Sequence, residues 1–466
     1  TGQKMRRRRI ERGFASRNYG SPEYYLALLK DCANNKDLKE GNCLYLDILH
    51  KGLLDKSPYL GRALISMYAR CGNMEKATEI LENLCVRDVV SWSILITSYT
   101  NQRKSRESLL CFERMRDEGI FPDPIAFTCI LKACGSIGAI NKGEQIHDEI
   151  LSNGFLEKSL ALGNALIDMY AKCGALEKAQ EVIEGLQGVR DIVSWNALIS
   201  AYTELGQFDE AIRLFEAMQL EGTIPDVVTF ISVLKACGKL GAVVKGQEIH
   251  DAIERRRLIE NKVMVGSALV EMYAKCGNLT DAQELFDSIP TRDIMTWDAL
   301  IRGYVYQGES LVVFQLFERL VQTSLHPDGV IFLAILTLCM HVGLLEKAHS
   351  YFEVMRKEYG VTPGIKHFAC VIDLLGRAGQ INEAVTIIGT MPFHPNLVMW
   401  HTILGACQKL GNVELGKWAF LHALQLDKSH AISFILMCNI YIDAKMWMEV
   451  EEIEVLRNQL REGFCG

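Results

Sequence analysis

The sequence predicts an all-α fold, a solenoid of stacked helix-turn-helix hairpins, and three observations predict it. First, Trp92, Trp195, Trp297 and Trp400 stand 103, 102 and 103 residues apart. Second, their surroundings recur: Ser-Trp-Ser at 91–93 returns as Ser-Trp-Asn at 194–196 and Thr-Trp-Asp at 296–298. Met-Tyr-Ala-Arg-Cys-Gly at 67–72 likewise returns as Met-Tyr-Ala-Lys-Cys-Gly at 169–174 and at 272–277. Third, apolar residues between these landmarks keep helical spacing in two blocks separated by glycine. A fixed period over most of a chain is the mark of stacked repeats, whose function lies along a surface and not in one cleft.

The unit at 192–226 shows why each element forms. Trp195, Leu198, Ile199 and Tyr202 fall at i, i+3, i+4 and i+7, one apolar face of a first helix. Gly206 breaks the pattern and permits a tight turn. Ala211, Leu214, Phe215 and Met218 repeat the spacing for a second helix. Gly222 and the pair Pro225-Asp226 close the unit, because proline cannot continue a helix. At 294–328 the same order returns with Trp297, Leu300, Ile301 and Tyr304, then Val313, Leu316, Phe317 and Leu320, then Pro327-Asp328. Such a hairpin cannot bury both apolar faces alone, so neighbours must stack.

Two further hairpin types complete the supercycle. One carries Leu-Lys-Ala-Cys at 131–134 and Gly-Glu-Gln-Ile-His at 143–147, echoed at 234–237 and 246–250. The other carries Gly-Asn-Ala-Leu-Ile-Asp-Met-Tyr-Ala-Lys-Cys-Gly at 163–174.

Composition narrows the function classes. The 466 residues carry a net charge of −7, which argues against tight, sequence-blind binding to phosphates. A groove that reads exposed bases with neutral and acidic side chains remains compatible with it. No apolar run approaches the roughly 20 residues of a membrane span, and no membrane partner is expected. The 15 cysteines include no Cys-x-x-Cys. Cys32, Cys134, Cys237, Cys339 and Cys407 recur in one phase and Cys71, Cys173 and Cys276 in another, so they read as small buried helix residues of a reducing compartment. Residues 1–21 form a basic tail with Arg6 to Arg9 in a run and no apolar core, read as disordered and as the remnant of a transit peptide. A His-x-Glu stands at 147–149, but its equivalent at 250–252 reads His-Asp-Ala. Without a Cys-x-x-Cys, the ligands of a zinc deaminase cannot be assembled. No phosphate-cradling loop or nucleophile elbow is present. No catalytic residue, cofactor or metal is therefore expected, and the chain reads as a non-enzyme.

The alternation of the three hairpin types resembles the PLS class of the pentatricopeptide repeat family, RNA-binding proteins of plant organelles. The resemblance implies a right-handed superhelix and places L, S and P repeats at 22–57, 58–88 and 89–123. They recur at 124–159, 160–191 and 192–226, then at 227–262, 263–293 and 294–328. L-like and S-like units follow at 329–364 and 365–396, the latter with Asp-Leu-Leu-Gly-Arg-Ala-Gly at 373–379, making eleven repeats over 22–396. Trp-His-Thr-Ile-Leu-Gly-Ala-Cys at 400–407 and Gly-Asn-Val-Glu-Leu-Gly at 411–416 resemble the family's E1 motif. Asn439-Ile440-Tyr441 resembles E2, so E1 and E2 fill 397–464, without the deaminase domain that many members carry.

In that family the fifth and last residues of a repeat contact one RNA base. An Asp accepts the ring N–H of G or U, an Asn donates to the bare ring nitrogen of A or C, and the fifth residue separates large from small bases. Carried over, Ser93/Asp123 implies G, Asn164/Asp191 U, Asn196/Asp226 U and Ser267/Asp293 G. Asp298/Asp328 implies weak preference for U or G, and Ala369/Asn396 implies A. Arg62/Asp88 departs from the pattern and is left unassigned. The L pairs Leu26/Ser57, Thr128/Ser159, Ile231/Lys262 and Leu333/Gly364 act mostly as spacers, with only Thr128 resembling a reader. The implied single-stranded target core is G-N-U-U-N-G-(U/G)-N-A, with the amino terminus at the RNA 5′ end.

For the last residues, helix capping is the competing reading, because Asp before a helix accepts backbone N–H bonds. The varying fifth residue is what capping leaves unexplained. Second residues Val90, Val193, Met264 and Met295 are expected either to sandwich the base or to pack the helix start, with Ala161 too small to clamp. Arg70, Lys172, Lys275 and Arg377, each thirteenth in its S unit, are candidates to touch phosphates.

The implied function is site recognition for C-to-U RNA editing in a mitochondrion or chloroplast. A deaminase or editing cofactor would be engaged through the E1/E2 region. An intron splicing or transcript-stability factor and a protein-binding scaffold are the alternatives.

Overall fold

The computed structural model describes residues 21–54, 57–157, 159–186, 190–428 and 430–462, and among these every regular element is a helix. The basic run Arg6–Arg9 lies outside them. The chain divides into two units, Thr1–Ala236 and Cys237–Gly466.

In the first unit the helices pair as Pro22–Asn35 with Leu38–His50, Pro58–Arg70 with Met74–Glu82, and Val89–Asn101 with Ser105–Asp117. Pro124–Ile137 with Ile140–Ser152, Leu160–Lys172 with Leu176–Gly185, and Ile192–Glu204 with Phe208–Leu220 follow. A helix over Val227–Leu240 comes next in the chain. The second unit holds Val243–Arg255 and a short helix, Leu258–Asn261. Its pairs are Val263–Lys275 with Leu279–Ser288, Ile294–Gln307 with Ser310–Val321, and Gly329–Val342 with Leu345–Lys357. Ile365–Arg377 with Ile381–Thr390, Leu397–Leu410 with Val413–Leu426, and Ala431–Asp443 with Trp447–Glu462 complete it. The described chain is thus an all-α repeat solenoid, as the periodicity predicts.

The helices start where local chemistry allows. Asp88, Asp123, Asp191, Asp293 and Asp328 each accept a backbone N–H of the following turn, as does Asn396. Ser57, Ser159 and Lys262 stand at the same place but make no side-chain cap bond. Within each unit the first helices of successive hairpins pack side by side, and each second helix packs against its own first helix. Trp195, Leu198, Ile199, Ala211, Phe215 and Met218 are buried as their spacing predicts. Gly206 closes the turn between the two helices with φ of 81°.

The recurring motifs are packing devices. A Cβ on Gly143 would stand 2.5 Å from the Met169 sulfur, so the glycine of Gly-Glu-Gln-Ile-His admits the methionine of Met-Tyr-Ala-Lys-Cys-Gly. His147 Nδ1 lies 3.0 Å from Tyr170 Oη, and His250 repeats the contact with Tyr273 at 3.0 Å. The His-x-Glu histidine thereby joins its hairpin to the next one. Burial holds His147 below the ordinary histidine value.

One cysteine phase behaves as expected: Cys32, Cys134, Cys237, Cys339 and Cys407 are buried. Burial pushes Cys32 and Cys237 up to about 12, which keeps them as inert thiols. The second phase corrects the expectation. Cys71, Cys173 and Cys276 are only half-buried and close the C-termini of their helices, each thiol resting 3.8–4.0 Å from the methionine sulfur four residues before it.

Candidate nucleic-acid interface

The hairpin stack brings the fifth residue of one first helix beside the N-cap of the next. Ser93 Oγ donates to Asp123 Oδ1 at 2.9 Å. Asn164 Nδ2 lies 3.3 Å from Asp191 Oδ1, and Asn196 Nδ2 donates to Asp226 Oδ1 at 3.0 Å. Ser267 Oγ donates to Asp293 Oδ1 at 3.0 Å. Four of the paired positions picked from the sequence are therefore joined by direct hydrogen bonds.

A third residue, unnoticed in the sequence, completes most of these pairs. It is the hydroxyl three residues after the cap. Thr229 Oγ1 donates to Asn196 Oδ1 at 2.6 Å and to Asp226 Oδ1 at 3.0 Å. Ser194 bonds Asn164 and Asp191 in the same way, and Thr296 bonds Asp293 at 2.6 Å and Ser267 at 2.7 Å. Ser194, Thr229 and Thr296 are completely buried. Ser194 and Thr296 each precede a recurring tryptophan, whereas Thr229 precedes Phe230. For Asp123, Asp226 and Asp293 the cap bond and the pair bonds all end on Oδ1. Capping and pairing thus converge on one oxygen of the carboxylate. Burial alone would raise the Asp226 carboxyl, but bonds from Thr229 and Asn196 outweigh it and hold the group below the usual carboxylate value.

Two acidic positions depart from the scheme. Arg62 forms an ion pair with Asp88, which neutralises that cap. Asp298 does not bond Asp328; its Oδ2 is bound 2.6 Å away by Arg302, four residues on. Asp298 is 4% exposed, and its Oδ1 has no hydrogen-bond partner among the described residues. Burial raises its carboxyl above the usual value; Arg302 opposes the shift and Asp328 adds to it. A folded value above the unfolded one favours folding at low pH, and that contribution is lost as pH rises through the folded value. Asp298→Asn is therefore expected to match the parent in urea denaturation near pH 4 and to exceed it at pH 7.5. A parent equal to the variant at both pH values would overturn this.

Ala369 brings no polar atom, and Asn396 Oδ1 accepts the Met399 N–H at 3.0 Å, leaving its amide as donor. Thr128 Oγ1 is turned to the Pro124 carbonyl of its own helix at 2.8 Å.

The second residues stand outward. Val90, Val193, Met264 and Met295 are 39%, 52%, 65% and 56% exposed, so each keeps apolar surface open beside the pairs. Ala161 is exposed as well. The same place holds an exposed apolar residue where the sequence reading sought none: Ile125, Val228, Val330, Val398 and Ile432. A cleft of about 670 Å³ gathers these features at one position, where Lys172, Val193, Asn196, Asp226 and Val228 all line it. Polar pair, apolar flanks and a cation thus meet on one face of the first unit.

The four candidate cations are already engaged. Lys172, Lys275 and Arg377 form ion pairs with Asp168, Glu271 and Asp373 at 2.7, 2.6 and 2.8 Å, each four residues before. Arg70 donates to Asn34 at 3.2 Å. An anion must compete with these partners. No group of three or more His, Cys, Asp or Glu among the described residues is placed to hold a metal ion.

Comparison with known proteins sets this surface in context. The PPR repeat family matches residues 87–136 and 190–239. The pentatricopeptide repeat domain matches 315–378, and the PPR repeat matches 62–89, 164–188, 267–294 and 295–323. A mitochondrial pentatricopeptide repeat-containing protein of Arabidopsis thaliana is 34% identical over 93% of this chain and 68% of its own length. The chloroplastic pentatricopeptide repeat-containing protein CRR2 of the same plant is 34% identical over 94% of this chain and 67% of its own. Another mitochondrial relative is 34% identical, and the chain spans 50% of its length. Among solved structures, the pentatricopeptide repeat protein PPR10 in complex with an 18-nt psaJ RNA element shares the fold, with a TM-score of 0.67 at 17% identity over 97% of this chain and 70% of that one.

Proposed function

The chain belongs to the pentatricopeptide repeat family, and on that footing we propose that it binds single-stranded RNA of a plant organelle and selects it by sequence. The observation that carries this reading is the recurring arrangement of fifth residue, cap and buried hydroxyl beside exposed apolar flanks, most complete around Asn196, Asp226 and Thr229. One carboxylate oxygen is spent on the cap, and the other accepts a base N–H. Ser93 and Ser267 are 5% and 8% exposed, so they act by leaving room for a purine, while the larger Asn164 and Asn196 restrict the space to a pyrimidine. Exposed Val90, Val193, Met264 and Met295 flank the bases, and Arg70, Lys172, Lys275 and Arg377 meet phosphates. The target core is G-N-U-U-N-G-(U/G)-N-A, and recognition needs no catalytic group in this chain.

Relatives are named mitochondrial or chloroplastic, which supports one of those compartments for this protein. The resemblance of 397–464 to E1 and E2 supports a role as site-recognition factor for C-to-U editing, with the deaminase supplied in trans. In a titration by fluorescence anisotropy, RNA carrying G-N-U-U-N-G-U-N-A is expected to bind at least tenfold tighter than RNA in which each U becomes A and each G becomes C. The salt slope should be no steeper than about −3, for four cations that must first leave their partners. Equal binding of the two RNAs would defeat the base-reading assignment. In the plant, loss of the protein should abolish editing at a C downstream of such a core with splicing intact; a splicing defect instead would favour the maturation role.

A further inference from the structure

The reading positions taken from the sequence stop at Asn396, but the arrangement that defines them continues. The hairpin Leu397–Leu410 with Val413–Leu426 places His401 fifth in its first helix. His430 stands at the N-cap of the next helix, Ala431–Asp443, and Ser433 is its third residue. His401 Nε2 lies 2.8 Å from Ser433 Oγ, and Ser433 is fully buried, as Ser194, Thr229 and Thr296 are. The rings of His401 and His430 are 4.9 Å apart with a tilt of 36°. Fifth residue, N-cap position and buried hydroxyl are thus all occupied, with two imidazoles in place of an amide and a carboxylate and no side-chain cap bond from His430.

One wall of the surroundings matches position by position, while Val398, His430 and Ile432 stand outside the cleft lining. The cleft at Asn196 is lined by Asp168, Lys172, Ala197, Ser200 and Glu204. A cleft of about 180 Å³ at His401 is lined by their counterparts, Asp373, Arg377, Thr402, Gly405 and Lys409. The exposed apolar flanks recur as Val398 and Ile432, 65% and 51% exposed. One replacement changes the charge: Lys409 stands where the first cleft has Glu204, and the helix that carries it packs on the helix of Arg377. Burial first, and His430 second, hold His401 below the ordinary histidine value, so its ring is uncharged at neutral pH.

We propose that this hairpin seats one further nucleotide of single-stranded RNA, directly 3′ of the one assigned to Ala369 and Asn396. Its base lies between Val398 and Ile432 and against the two histidine rings, and its phosphate lies near Lys409. The assignment rests on the RNA reading proposed above. Aromatic faces hold any base by stacking, whereas the carboxylate of the earlier pairs demands an N–H donor. The position therefore adds affinity with little choice of base.

The test compares the nine-nucleotide core RNA with the same RNA lengthened at its 3′ end by U, by A, or by an abasic residue. Both base-bearing extensions are expected to bind about tenfold tighter than the core, with the abasic extension gaining little. His401→Ala should remove that gain and leave binding of the core unchanged, which also reports that the variant is folded. The double variant His401→Asn with His430→Asp rebuilds the Asn164–Asp191–Ser194 arrangement on Ser433. It should prefer the U extension over the A extension by about tenfold. If extensions bind like the core, or the gain survives His401→Ala, or the double variant shows no preference, this inference falls. In those cases core RNA that still outbinds its base-exchanged control leaves the array reading standing. Core RNA that does not outbind that control removes both.

Discussion

Asp226→Asn is expected to change the base preferred opposite Asn196 from U to C, without loss of the fold. Asn196 Nδ2, the Thr229 backbone N–H and the Thr229 hydroxyl all converge on Asp226 Oδ1. In the variant these three donors require the amide oxygen at that place, which leaves the amide nitrogen as the outer atom. An acceptor is thereby replaced by a donor, with no change of shape. Uracil then sets its ring N–H against another N–H, while cytosine gains a partner for its bare ring nitrogen. Hydrogen bonds to charged groups are worth about 1.5–3 kcal/mol, so the ratio of U to C affinity should swing by about 100-fold. Asn caps a helix as well as Asp does, so stability should fall by less than about 1 kcal/mol. The check is a pair of titrations, parent and variant, against core RNAs with U or C at that one position. If the variant binds both RNAs more weakly by the same factor, Asp226 is only a cap.

The hairpin starts were legible because two independent signals coincide there. Pro or Asp closes one unit, and the apolar spacing of the next begins within three residues. The pairing of fifth and last residues was legible only through the family resemblance, since nothing local says that Asn196 and Asp226, 30 residues apart, touch. The buried hydroxyls were missed for a physical reason. Ser194 and Thr229 are polar, so spacing rules give them to solvent, and only the stacked neighbour explains their full burial. Val228, Val398 and Ile432 are exposed although they are apolar, which residue type alone does not indicate. The ties of Lys172 to Asp168 and of Arg302 to Asp298 follow from i, i+4 spacing and could have been read directly. Gly143 shows where sequence alone stops: the motif was visible, but its cause is a methionine from the next hairpin.

Trp297→Ala is expected to lower stability by about 3–5 kcal/mol, the usual cost of deleting a buried indole. Trp297 is 3% exposed and meets the fully buried Phe286 edge to face, with centroids 4.7 Å apart at 77°. Arg319 lies 5.9 Å over both rings and is itself held by Asp287 at 2.9 Å, so the indole joins two successive hairpins. Trp297→Phe keeps an aromatic edge there and should cost far less. A double-mutant cycle with Phe286→Ala should return a coupling of about 0.5–1.5 kcal/mol. Stability in a solenoid is a sum of repeat and neighbour terms, so the loss should fall on the hairpins beside residue 297. Urea unfolding of Trp297→Ala should accordingly split, with an early transition from those hairpins. Thr296, next in the chain, holds the Ser267–Asp293 pair, so recognition of G there should weaken while the two U positions at Asn164 and Asn196 persist. A variant that unfolds in one step within about 1 kcal/mol of the parent would mean that the tryptophan rhythm of 102 to 103 residues marks something other than the joints of the stack.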